Sequence, residues 1–225
     1  MRLQKVGELE RRQHYYLNAA HWCLFFGEYT PQKFTNGQGA RFSETNSHIL
    51  NLKKDLTRKG LSDWHYKETA IKVAGKRLSK AFKWDNPIVK AATFVPMPPS
   101  KKLIDPLYDD RMLQVLQYAS TLVPNELDIR DMLQLDGRLP PSHDNVARSS
   151  PSDIQRALQI DKVLASRSPR IRSIFLVDDV LTTGAHFVGA HDFLKAYFPE
   201  VTVLGLFLAR TVRPDQDLDD FEFVE

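Results

Sequence analysis

The segment IRSIFLVDDVLTTGAH, residues 171–186, begins as a largely apolar run and ends in acidic, hydroxylic and small residues. Residues 171–177, apolar but for Arg172 and Ser173, read as a strand buried on both faces of a parallel sheet. Two adjacent carboxylates, Asp178 and Asp179, stand at its carboxyl end, and Thr182, Thr183, Gly184 and Ala185 lead into a helix expected over 189–197. Gly184 permits a tight turn and a close backbone approach. In an open parallel sheet, ligands bind at the carboxyl ends of the strands. Free N–H groups at the start of the following helix suit a phosphate. Two carboxylates beside that phosphate would be repulsive unless they face something else, and the 2′- and 3′-hydroxyls of a ribose donate the hydrogen bonds they can accept.

Outward from this segment the pattern repeats. Apolar runs at 88–97 and 201–209 read as strands and residues 108–122 as a helix, so strand and helix alternate as in α/β folds. Upstream the rhythm changes. Residues 2–26 hold no Pro and few β-branched residues and read as helix, 29–47 as a loop, and 46–59 as a helix stopped by Gly60. A further helix follows Ser62 and Asp63 and runs to about residue 84, with Ile71, Ala74, Leu78 and Phe82 on one face and Lys72, Lys76, Lys80 and Lys83 largely elsewhere. Pro87 ends it. The expected organisation is therefore a mainly helical, basic accessory region over 1–87, an α/β domain with a parallel sheet over 88–213, and an acidic tail over 214–225.

The chain has 225 residues and a net charge of +3, which hides an asymmetry: residues 1–90 carry +9 and residues 91–225 carry −6. A basic N-terminal half is compatible with nucleic acid or another polyanion, although lysines on a helix commonly form a solvated face. The single cysteine, Cys23, excludes an intrachain disulfide and a multi-cysteine zinc site, and it reads as a buried small apolar residue. His14 with His21, and His186 with His191, suggest metal pairs, but no third ligand stands at useful spacing, and a structural role is expected. No run reaches the ~18 apolar residues of a membrane span, and the first residues lack the apolar core of a signal peptide. The expectation is a soluble, cytoplasmic protein without membrane contact, its oligomeric state left open.

Residues 174–186 resemble the signature of type I phosphoribosyltransferases: four apolar residues, two acids, two apolar residues, then Thr-Thr-Gly. Residues 95–102, VPMPPSKK, are similar to the Val-Pro-x-Pro opening of the ComF-type, competence-associated members, and residues 139–148 are more loosely similar to their mobile segment. The resemblance covers about 89–210 and implies a parallel-sheet phosphoribosyltransferase-like core. It departs from the family in carrying His186 where a Thr or Ser is usual, in having no acid at Thr182, and in lacking the cysteines of the ComF-type zinc ribbon.

The resemblance implies 5-phosphoribosyl-1-pyrophosphate (PRPP) with Mg²⁺, or a nucleoside 5′-monophosphate, as ligand. It assigns Asp178 and Asp179 to the ribose hydroxyls and, indirectly, to Mg²⁺. Thr182, Thr183, Gly184, Ala185 and His186 would take the 5′-phosphate, Pro99, Ser100 and Lys101 the pyrophosphate, and Arg148 would close over it. Two readings stay open. One is a pentosyltransferase that makes or breaks an N-glycosidic bond. The other is a non-catalytic PRPP- or nucleotide-binding component of a multi-component bacterial system, with a protein or nucleic-acid partner on its basic half.

Overall fold

In the computed structural model, which describes residues 2–137 and 149–214, the apolar runs become neighbouring parallel strands. In chain order the strands are β1 (Gln4–Lys5), β2 (Cys23–Tyr29), β3 (Ala92–Pro96), β4 (Asp128–Ile129), β5 (Leu133–Leu135), β6 (Leu158–Ile160), β7 (Ser173–Leu181) and β8 (Thr202–Thr211). The helices are α1 (Glu8–Arg11), α2 (Glu44–Leu52), α3 (His65–Ser79), α4 (Pro87–Lys90), α5 (Arg111–Ser120), α6 (Pro151–Ala157), α7 (Lys162–Ser166) and α8 (Ala185–Tyr197). Six strands form one sheet in the order β1-β2-β8-β7-β3-β4, parallel throughout except for β1, while β5 and β6 pair antiparallel by themselves. The protein is thus α/β, built on a mostly parallel, six-stranded mixed sheet.

Side-chain alternation along the central strand divides the core. Phe175 and Val177 join the residues under α2, α3 and α5, whereas Ile174 and Leu176 join those under α6 and α8. Helix α3 follows the expected pattern: Ile71, Ala74 and Leu78 are buried, and Lys72, Lys76, Lys80 and Lys83 are exposed. It ends at Ser79 rather than near 84, because the chain turns back there and Trp84 Nε1 donates to Ser79 O. Residues 87–90 form α4, capped by the Asn86 side chain, so β3 starts at Ala92 and not at 88. No helix among the described residues is long and apolar enough to cross a membrane.

The largest departure lies in residues 2–26, where a helix was expected. Only α1, a single turn, is helical there, and β2 enters the sheet parallel to β8 with Cys23, Phe25 and Phe26 buried. A short apolar run beside an unpaired strand gains a full hydrogen-bond ladder and burial on both faces, and that tertiary gain outweighs local helix preference. The sheet therefore runs across residue 87, and the helical expectation for 1–87 holds for α2 and α3. Residues 215–225 of the acidic tail lie outside the described residues.

Candidate functional site

Topology picks out one crevice. The connection from β3 through α5 runs outward to β4, while the connection from β7 through α8 runs the other way to β8. Neighbouring parallel strands whose connections diverge leave an opening at their carboxyl ends, where α/β proteins bind ligands. Here that opening lies between β3 and β7, which are hydrogen-bonded along their length, with Pro96 opposite Val177. The acid pair and the loop after β3 both stand at it. Two cavities lie elsewhere. One of about 510 Å³, lined by Ser168, Arg170, Tyr197 and Glu200 among others, precedes β7 and β8 at the opposite edge of the sheet. The other, about 110 Å³, adjoins Trp84 and the start of β3.

Asp178 and Asp179 are consecutive residues of β7, so their side chains diverge, and their environments are opposite. Asp179 is buried, yet both carboxylate oxygens are engaged: Lys53 Nζ lies 3.0 Å from Oδ1, and Arg111 Nη2 and Nε donate to Oδ2 at 2.6 and 3.0 Å. Burial by itself would raise this carboxyl, but the two cations outweigh it and hold it below the usual carboxylate range. Among the described residues the Asp178 carboxylate accepts the Asp179 N–H alone, at Oδ1 and 2.7 Å. Burial, reinforced by the neighbouring Asp179 charge, pushes the Asp178 carboxyl up to about 7. One acid is thus a fixed anion inside an ion-pair network, and the other is a proton-carrying group near neutrality.

The network continues inward. Arg111 Nη1 donates to Asp109 Oδ2 at 2.7 Å, and the same oxygen accepts from Lys67 Nζ at 2.7 Å. Lys67 is 1% exposed and also donates to the carbonyls of Leu52 and Lys54, at 2.8 and 2.9 Å. Its three acceptors satisfy all three ammonium protons. Those two carbonyls flank Lys53, so Lys67 fixes the turn from which Lys53 reaches Asp179.

The turn after β7 adopts the shape the motif demands. Gly184 has φ +87°, a left-handed conformation that favours glycine, and a Cβ there would press on Leu17 at 3.0 Å. The N-terminal segment holds this turn by its carbonyls: His14 Nδ1 donates to Thr182 O, 2.5 Å away, and Tyr16 N–H to Thr183 O at 2.9 Å. A trans peptide points its N–H opposite to its carbonyl, so the Thr183 and Gly184 N–H groups face away from that segment. With the first N–H groups of α8 they make a positive site for an anion. His186 stands in the first turn of α8, its imidazolium disfavoured by burial, with the Asp179 and Lys53 charges acting on it in opposite senses.

Of the other sequence-derived residues, Pro99, Ser100 and Lys101 lie in the loop after β3, and Lys101 Nζ lies 3.6 Å from Asp105 Oδ2. Arg148 lies outside the described residues, as does all of 139–148. Cys23 is fully buried and its thiol is pushed up to about 12 by that burial, as expected of a core residue. Contrary to expectation, His191 does acquire further neighbours of ligand type, since His21 and Asp192 come together with it. Their own bonds engage them: His21 Nδ1 accepts the Asn18 N–H, and His191 Nδ1 lies 2.9 Å from Asp192 Oδ1.

Sequence reasoning missed Lys53, Lys67, Asp109 and Arg111. One signal was present: Lys67 shares the helical face of Ile71, Ala74 and Leu78, and a lysine on a core-facing stripe needs buried partners. No model of a known protein family matches the chain, and no curated protein matches it.

Proposed function

We propose that the protein binds a 5-phosphoribosyl ligand, PRPP or a nucleoside 5′-monophosphate, at the carboxyl ends of β3 and β7, and transfers or releases phosphoribosyl at an N-glycosidic bond. The observation that carries the proposal is the Gly184 turn opening α8 directly after the acid pair, at the point where the strand connections diverge. The 5′-phosphate sits on the N–H groups of the Thr183–Gly184 turn and of α8. Asp178, which has no cation partner among the described residues, takes a ribose hydroxyl. The pyrophosphate lies toward the loop after β3, where Ser100 and Lys101 offer donors. The group that departs is an oxyanion, so positioned donors and cations supply the catalysis.

The resemblance implies Mg²⁺, but the acid pair does not fit the ion well. Both Asp179 oxygens already bear cations, and Asp178 offers one oxygen on a carboxyl that is half protonated near pH 7. The non-catalytic reading draws support from the same feature, because an acid held in ion pairs is not free to grip the ribose. Thermal unfolding with and without millimolar PRPP, followed by a pyrophosphate-release assay over a panel of nucleobases and amines, tests both. A raised melting temperature with turnover is expected. Binding without turnover for any acceptor would select the sensor, and no shift with PRPP or any nucleoside monophosphate would end both readings.

A further inference from the structure

The Asp179 ion pairs have a consequence for the metal. We infer that Lys53 and Arg111 together replace the divalent cation at this site, so that a phosphoribosyl pyrophosphate ligand is held without Mg²⁺. The inference rests on the phosphoribosyl reading above. Three cations (Lys53, Lys67, Arg111) and two fixed carboxylates (Asp109, Asp179) make up the network, which by itself carries one net positive charge beside Asp178, an acid whose ionisation burial disfavours. A hard dication needs several free oxygen ligands and would be repelled by that charge. A pyrophosphate is attracted by it.

The geometry suits that task. The Lys53 side chain is 41% exposed and that of Arg111 is 21% exposed, so both reach solvent at the mouth of the crevice while remaining tied to Asp179. An arginine fork and a lysine point charge are the two standard phosphate-binding groups. Both are positioned from behind. Asp109 accepts from Arg111 Nη1, so that the three bonds to Asp109 and Asp179 leave one N–H on each of Nη1 and Nη2 for a ligand, and Lys67 clamps the carbonyls on either side of Lys53. Lys67 is accordingly a positioning residue, enclosed and out of reach of any ligand.

The experiment is a calorimetric titration of the 225-residue chain with PRPP, in Mg²⁺ and in excess EDTA, repeated for Lys53→Gln and Lys53→Arg. Equal affinity in both buffers is expected for the parent chain. Lys53→Gln should lose roughly tenfold or more in EDTA, the size of one charge-assisted hydrogen bond, whereas Lys53→Arg should retain most of the affinity. Unfolding of ligand-free Lys53→Gln should stay close to that of the parent, which separates a ligand effect from a folding defect. PRPP binding that requires Mg²⁺, or Lys53→Gln binding in EDTA as the parent does, overturns the inference while leaving the phosphoribosyl reading standing. No PRPP binding in either buffer overturns both.

Discussion

The layer of α6 and α8 closes over the sheet by apolar contact, with the Gly189 backbone so near Pro151 and Ile154 that an added Cβ would lie 2.6 Å from the Pro151 carbonyl and 2.8 Å from the Ile154 Cβ. The layer of α2, α3 and α5 has an equally close apolar contact at Gly75, where a Cβ would meet Tyr118 at 2.8 Å and the Val115 carbonyl at 2.9 Å. This second layer also buries a chain of charges, running from Lys67 through Asp109 and Arg111 to Asp179. Buried ion pairs contribute little net stability over apolar packing, because desolvation offsets their attraction, but breaking one is expensive. The difference lies in what each layer brings to the crevice: the α8 layer carries the Gly184 turn, and the α2/α3/α5 layer brings cations to the acid pair.

Several substitutions test that contrast, the largest first. Asp179→Asn leaves Lys53 and Arg111 without their carboxylate, and Lys67→Met leaves Asp109 buried beside Arg111 alone. Each should cost about 3–5 kcal/mol by denaturant unfolding, and a loss below ~1 kcal/mol would mean that the charged chain is dispensable. Asp178→Asn tests the other acid through pH. In the unfolded chain an aspartate titrates near ~4, and here it titrates at about 7. The unfolded state therefore releases this proton first, and stability contributed by Asp178 is lost as pH rises from ~4 through about 7. Relative to the parent, Asp178→Asn should gain about 1–3 kcal/mol between pH ~5 and ~8. A pH-independent difference would show that Asp178 is an ordinary ionised carboxylate.

Gly189→Ala and Gly75→Ala compare the two apolar contacts directly. Overpacking should cost about 1–3 kcal/mol at each, despite the better helix propensity of alanine. A neutral result at one site would identify the layer that can shift. The smallest effect is expected on the outer surface of α3 and the turn that follows it. Changing Lys72, Lys76, Lys80 and Lys83 to Gln should alter stability by less than ~0.5 kcal/mol. The same variant tests a polyanion partner: if the parent chain shifts DNA or RNA at ~50 mM salt, the four changes should weaken that binding and flatten its salt dependence.

Where the run was mostly apolar, as in 171–177 and 201–209, the strands were legible, because a strand buried on both faces needs no information from elsewhere in the chain. The same holds for α3, whose stripe of Ile71, Ala74 and Leu78 shows its period locally. The acid pair, the Gly184 turn and the start of a helix after it were legible for a similar reason, since residue type and adjacency suffice to define them. Residues 2–26 were misread because a short apolar run such as 23–26 suits helix or strand equally until a neighbouring strand is known. That neighbour, β8, lies some 180 residues later.

The sequence by itself determined an α/β chain with a buried strand that delivers two acids to a glycine turn, and it showed one cysteine destined for the core. Only the tertiary structure decided what those acids are. Adjacent, chemically identical carboxyls acquired opposite ionisation because Lys53, from the end of α2, and Arg111, from the start of α5, converge on one of them and leave the other. Charge–charge forces depend on distance in space, and residues 53, 111 and 179 become neighbours only when the sheet and its covering helices have assembled.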